Sequence, residues 1–170
     1  MSGKTCVVTG ATSGIGQVAA LALADMGAEL FLVCRSRTKG EWTAADILDQ
    51  TGNDKVTLLI GDLSSLADVR QIANSFLEHD KPLHLLLNNA GVVNLKRKIT
   101  EDQFEEMFAV NHLAHFLLTN LLLDRLRASA PARIVNIASG AHMLVKGINF
   151  EDASYTIARK WRNSEFCSSG

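Results

Sequence analysis

Three glycines, Gly10, Gly14 and Gly16, lie in the stretch Val7-Val8-Thr9-Gly10-Ala11-Thr12-Ser13-Gly14-Ile15-Gly16, between an apolar strand and an Ala-rich helix. Glycine takes positive φ freely and lets backbone come close to a bulky anion. A helix starting near Gly14 aims unpaired N–H groups and its positive dipole end at a pyrophosphate. Thr12, Ser13 and Ile15 sit between the glycines on the same turn. The spacing G-x-x-x-G-x-G is one variant of the dinucleotide-binding turn. Taken alone, the same stretch also reads as a tight structural turn.

Further polar residues recur at the ends of apolar runs. Cys34-Arg35-Ser36-Arg37 follows the second run, where an NAD site places a carboxylate on the ribose hydroxyls; no acid stands there. Arg35 and Arg37 suit a 2′-phosphate, which favours NADP(H) over NAD(H); the alternative is two ordinary surface charges. Asp62-Leu63 follows the third run: a carboxylate for an adenine amino group with a leucine against the ring, or an acid placed at a helix start by its dipole. Asn88-Asn89-Ala90-Gly91 follows the fourth, either tying strand ends together beside a ring or forming a plain turn. Asn111 interrupts an apolar helix and must bond a bent backbone or hold water. His112 and His115 flank it without a second ligand set, so no metal site is read. Ser139 ends the fifth run, placed to hydrogen-bond a substrate carbonyl or to serve as a turn serine.

The elements that must position these residues alternate strand and helix. Strands are expected at 4–9, Glu29 to Cys34, Lys55 to Ile60, Leu83 to Leu87 and Arg133 to Ala138. Helices are expected at 14–26, 39–50, from a Ser64 or Ser65 cap to about His79, and from a capping box Thr100-x-x-Gln103 to about Ala128. The last helix would carry Met107, Val110, Leu113, Leu117 and Leu121 on its buried face. Continuous apolar strands imply an α/β fold with a parallel sheet covered on both faces. Right-handed crossovers favour a Rossmann-type doubly wound sheet of order 3-2-1-4-5, with ligands beyond the carboxyl ends where the order reverses.

At 170 residues the chain is one domain, read as a dinucleotide-binding unit over 1–150 and a partly ordered tail over 151–170. A net charge of −1 carries no nucleic-acid footprint, and no apolar run approaches membrane-spanning length. Met1-Ser2-Gly3-Lys4 leads straight into a strand with no leader-like apolar segment. Three cysteines, two of them inside apolar strands, imply reduced thiols in the cytoplasm.

In order and spacing, Thr9-Gly10-…-Gly14-Ile15-Gly16, Asp62-Leu63, Asn88-Asn89-Ala90-Gly91, Val110-Asn111-His112-Leu113 and Ile134-Val135-Asn136-Ile137-Ala138-Ser139 closely resemble the short-chain dehydrogenase/reductase family. Cys34-Arg35-Ser36-Arg37 and the Asn111 stretch look most like its NADP-preferring, retinol-dehydrogenase-like branch. The resemblance implies hydride transfer between a nicotinamide and a carbonyl or alcohol, with small-molecule substrates. It implies that Ser139 orients the substrate oxygen and that Asn111 holds a helix bend and a proton-relay water.

The family's general acid/base is a tyrosine followed four residues later by a lysine. Here the sole tyrosine, Tyr155, has Arg159 at that spacing and Lys160 one further, on a different helix face. Ile148-Asn149-Phe150-Glu151-Asp152 resembles the loop before the family's catalytic helix, and that register puts the tyrosine beyond Gly170. The expectation is a C-terminally truncated chain lacking the family's last strands, with Tyr155 as the weaker alternative acid/base. Its apolar fifth strand would then be an uncovered edge, open to homo-oligomerisation.

Overall fold

The computed structural model describes residues 1–140 and 143. The expected tail, with Tyr155, Arg159 and Lys160, lies outside the described residues. Five strands, β1 (Thr5–Thr9), β2 (Glu29–Cys34), β3 (Val56–Ile60), β4 (Leu85–Asn88) and β5 (Arg133–Asn136), pair in parallel in the order β3-β2-β1-β4-β5. This is the expected doubly wound topology, reversing direction between β1 and β4.

The pleat explains the continuous apolar runs. Val7, Phe31, Val33 and Leu86 point to one face, where α3 (Leu66–Glu78) and α5 (Ala114–Ala128) bring Val69, Ile72, Phe76, Leu118 and Leu122. Cys6, Val8, Leu30 and Leu32 point to the other, against Ala20 and Ala24 of α1 (Gly14–Asp25) and Ile47 of α2 (Arg37–Thr51). Small alanines let α1 lie close to β1. Register is held at the strand starts as well: Thr5 N donates to His84 Nδ1 at 3.0 Å, and Arg133 N donates to the His84 carbonyl at 2.9 Å.

Cap chemistry sets the helix starts. Ser36 Oγ accepts from Lys39 N and Ser65 Oγ from Asp68 N, so α2 begins at Arg37, two residues before the expected start. The expected capping box at Thr100 is absent. Gln103 takes a φ of 65°, and Thr100 Oγ1 accepts from Phe104 N instead. The helix starts later, at α4 (Glu106–Phe108), because the carboxylate of Glu105, buried to 1% exposure, accepts from Met107 N and Phe108 N.

A π-turn over Ala109–Leu113 joins α4 to α5. It inserts one extra residue per turn and advances the downstream face by one position. The fully buried residues are therefore Ala114, Leu118 and Leu122 rather than the expected Leu113, Leu117 and Leu121; Leu117 and Leu121 are only partly buried. Beyond β5 nothing among the described residues pairs with its far edge, and Ile134, Val135 and Ile137 are 39–45% exposed.

Glu105→Ala removes the acceptor of two helix-start amides and is expected to lower stability by about 1–3 kcal/mol, read as a lower urea midpoint. An unchanged midpoint would refute the capping role.

Candidate functional site

The carboxyl ends of β1, β2, β3 and β4 open onto one groove of about 480 Å³. Its floor begins at the β1–α1 turn. Gly10 (φ 66°) and Gly14 (φ 54°) hold left-handed backbone there. A Cβ on Gly10 would stand 2.8 Å from Ala90 Cα, and one on Gly16 would overlap the Gly10 carbonyl and the Asn89 amide. A Cβ on Gly14 would meet nothing within 4 Å, so the space beside it is open. Ser13 precedes α1 but makes no side-chain cap, whereas Ser36 and Ser65 do cap α2 and α3. The first amides of α1 are thus left without a side-chain acceptor at the groove, as an anion-binding turn requires.

Opposite this turn stands the end of β4. Asn89 N and Ala90 N donate to Thr9 Oγ1 at 2.9 and 3.0 Å, and Asn89 Nδ2 donates to the Thr9 and Gly10 carbonyls at 3.0 and 3.3 Å. Asn88 Nδ2 donates to Asn136 Oδ1 at 2.8 Å and Thr119 Oγ1 at 3.0 Å, tying β4 to β5 and α5.

The structure brings most of the sequence-expected binding residues together. Gly10, Thr12, Ser13 and Ile15 line the groove from the β1 side. Arg35, Asp62 and Leu63 line it from β2 and β3, and Asn89, Ala90 and Gly91 from β4. Gly14 and Gly16 shape the turn without lining it. Arg37 is not on the groove: as the first residue of α2 it is carried away, and its charge instead acts on the Cys34 thiol. Lys39, absent from the sequence reading, takes its place beside Ser36. The signal that identifies it is Ser36 as a cap, which puts Lys39 in the first helical turn.

Arg35 Nη1 lies 3.6 Å from Asp62 Oδ2, with the guanidinium three-quarters exposed. Asp62 Oδ1 also accepts from Ser64 N at 2.9 Å, so that carboxylate organises the turn after β3. Cys6 and Cys34 are free, buried thiols. Burial pushes Cys6 up to about 11 and raises Cys34 against the opposing charge of Arg37, so neither is a thiolate near neutral pH.

A second cavity, of about 870 Å³, adjoins the first through Ile15 and the Asn89–Val92 segment. Asn111, His112 and His115 enter it from the π-turn and α5, and Ser139 from the loop after β5. Asn111 Oδ1 accepts from Val92 N at 2.8 Å, while its Nδ2 donates to the Val92 carbonyl at 3.0 Å. The amide therefore clamps the loop after β4 to the bent helix. His112 stacks between Phe108 and Phe116, with ring centroids at 5.4 and 6.4 Å. No metal-binding cluster is formed among the described residues, and no helix of theirs is long and apolar enough to cross a membrane.

A 3-2-1-4-5 parallel sheet with a glycine turn over its switch point defines a class, and the match of residues 4–154 to the short chain dehydrogenase family shows that the chain belongs to it. It is 45% identical to retinol dehydrogenase 13 of Homo sapiens over 167 residues, 98% of this chain and 50% of that protein. It is 49% identical to retinol dehydrogenase 12 of Mus musculus over 150 residues, 88% of this chain and 47% of that protein. The chain thus spans about half the length of these relatives. Among solved structures it resembles a short-chain dehydrogenase from Sphingobium yanoikuyae in complex with NADPH (TM-score 0.72, 30% identity, 82% of this chain, 55% of that one). It also resembles the Pseudomonas aeruginosa RhlG/NADP active-site complex (TM-score 0.72, 30% identity, 91% of this chain, 61% of that one).

The two turn glycines separate by experiment. Gly14→Ala meets no neighbour and costs only left-handed strain of about 1–2 kcal/mol. Gly16→Ala must displace Gly10 and Asn89, so its thermal midpoint is expected to fall well below that of Gly14→Ala. The reverse order would refute the turn packing.

Proposed function

We propose that the chain carries the dinucleotide half of an oxidoreductase site that prefers NADP(H) over NAD(H) and serves hydride transfer between a nicotinamide and a carbonyl or secondary alcohol. The observation that carries this reading is the groove itself. Uncapped α1 amides and an open space at Gly14 suit a pyrophosphate, and Arg35 and Lys39, with no acid at the end of β2, suit a 2′-phosphate. The surface ion pair Arg35–Asp62 is weak enough to yield its guanidinium to a doubly charged phosphate. Asp62 and Leu63 then border the adenine, and Asn89-Ala90-Gly91 leaves room for a ring along the β4 end.

When bound, the nicotinamide supplies or accepts the hydride. The chain's own residues do the rest. Ile15 faces both cavities and covers the junction between them. Asn111 fixes the loop after β4, and Ser139 presents a hydroxyl to a substrate oxygen. The NADPH and NADP complexes of the solved relatives support the cofactor, and the retinol dehydrogenases support an alcohol or carbonyl substrate. Buried, unpaired Cys6 and Cys34 support a reducing cytoplasmic setting. The apolar β5 edge supports self-association, which sedimentation would read as a mass above 18.4 kDa.

A second reading is a binding module that holds NADP(H) without turnover. The spacing of Tyr155 and Lys160 favours it, because on any helix a lysine at i+5 would not share a face with residue i. Carbonyl reduction abolished by Tyr155→Phe would overturn it.

Titration with NADPH, followed by its fluorescence, tests the first reading. Lys39→Ala and Arg35→Ala are each expected to weaken NADPH by about tenfold, the loss of one charge-assisted hydrogen bond, and to leave NADH unchanged. Arg37→Ala is expected to change neither. Equal losses for both dinucleotides would remove the 2′-phosphate assignment, and no saturable change would remove the cofactor.

A further inference from the structure

His115 is a buried titratable side chain on the wall of the second cavity, and the family reading gives it no task. Its Nε2 lies 3.1 Å from Thr9 Oγ1. That hydroxyl oxygen already accepts from Asn89 N and Ala90 N, which use both of its lone pairs. Its single proton is then the only thing it has left to offer. The hydroxyl must donate to His115 Nε2 or to the Leu87 carbonyl, which is farther away at 3.3 Å. With both lone pairs of Thr9 Oγ1 taken, a proton on Nε2 would meet no acceptor there, so the neutral ring that fits this site has a bare Nε2 and its proton on Nδ1; the Asn111 backbone also hydrogen-bonds the ring.

We infer that His115 is a positioning residue: its unprotonated Nε2 orients the Thr9 hydroxyl that holds Asn89 and Ala90 against the glycine turn, so the groove is competent for a dinucleotide only while the ring is neutral. This rests on the NADP(H) reading of the groove. A proton on Nε2 would aim a third donor at an oxygen with no free lone pair and would push the β4 end away from Thr9. Burial lowers the His115 pKa, outweighing the Asn111 carbonyl that favours the charged form, and the charge of His112 lowers it further. Thr9 and the Asn111 backbone, which meet the ring, are uncharged, and the other polar residues lining the cavity besides His112 (Asn88, Asn89, Thr119, Asn120, Asn136 and Ser139) are uncharged too. A histidine whose folded pKa is depressed takes up a proton more readily when its packing opens. The junction therefore weakens as pH falls below the ordinary histidine value of about 6.5.

Three measurements test this on the full chain. Imidazole nitrogen NMR of the wild type at neutral pH is expected to show His115 with a protonated Nδ1 and a bare Nε2; the opposite tautomer overturns the inference. NADPH affinity is then compared between wild type and His115→Gln, whose side-chain carbonyl still accepts from Thr9 but does not titrate. The 2′-phosphate of NADPH itself titrates near pH 6, and it cancels in the ratio of the two proteins at each pH. At the pH where NMR finds the ring half protonated, the wild-type Kd is expected to rise about twofold relative to His115→Gln, and further below it. A flat ratio across that titration overturns the inference. If neither protein binds NADPH at any pH, the cofactor reading fails by itself. Amide exchange then decides positioning: Asn89 and Ala90 should exchange faster in His115→Ala than in His115→Gln, and equal rates overturn it.

Discussion

One hydroxyl holds the switch point together. Thr9 Oγ1, fully buried, accepts from two successive amides of the segment after β4 and meets the His115 ring from α5. A parallel sheet whose order reverses at β1 and β4 leaves a cleft between the outgoing chains, and the backbone groups there have no strand to pair with. Threonine is suited to the position. Its hydroxyl satisfies the amides, and its branched carbon packs in a strand. Asn89 completes the closure by returning its amide protons to the Thr9 and Gly10 carbonyls. Gly16 must be bare because that amide lies directly over it. The glycine turn and the Asn-Asn-Ala-Gly stretch are therefore one structural unit, although about 80 residues separate them.

Electrostatics divide the groove. The β1–α1 turn offers backbone dipoles without a capping side chain, and the β2–α2 turn offers Arg35 and Lys39. Asp62 moderates Arg35 at 3.6 Å and also braces the β3 turn through Ser64. An ion pair with so exposed a guanidinium contributes little to stability, so its cation is available to an anion at small cost. The adjoining cavity is different in character. It is lined by the amides of Asn88, Asn89, Asn111 and Asn136 and by His112 and Phe116, with Phe108 stacked on His112 behind them.

Most of the architecture was legible because β1, β2 and β4 are apolar on both faces and the starts of α2 and α3 carry serine caps. The groove was legible where a residue type departs from what its element alone requires, as with the glycines after β1 and Asn111 in an apolar helix. Three residues were not. Lys39 depends on where α2 begins, because the Ser36 cap sets it in the first turn beside the groove. Glu105 carries no sequence signal of its own, and its burial at the start of α4 is a tertiary fact. His115 reads as a helix residue without ligands until β1 is placed beside it. The π-turn displaced the buried face of α5 by one position, since periodicity arguments assume an uninterrupted 3.6-residue repeat.

The order of strands, the glycine turn and the absence of an acid after β2 follow from the chain alone, because they depend on short-range pattern: apolar runs, backbone freedom and residue type at strand ends. Which polar group answers which was decided only in three dimensions. Thr9 with Asn89 and His115, Asn88 with Asn136 and Asn111 with Val92 are pairs between elements that sequence distance does not connect. A buried hydrogen-bonding group must find a partner, but its identity depends on how helices and sheet pack, and a one-residue bulge or a two-residue shift in a helix start is enough to change it.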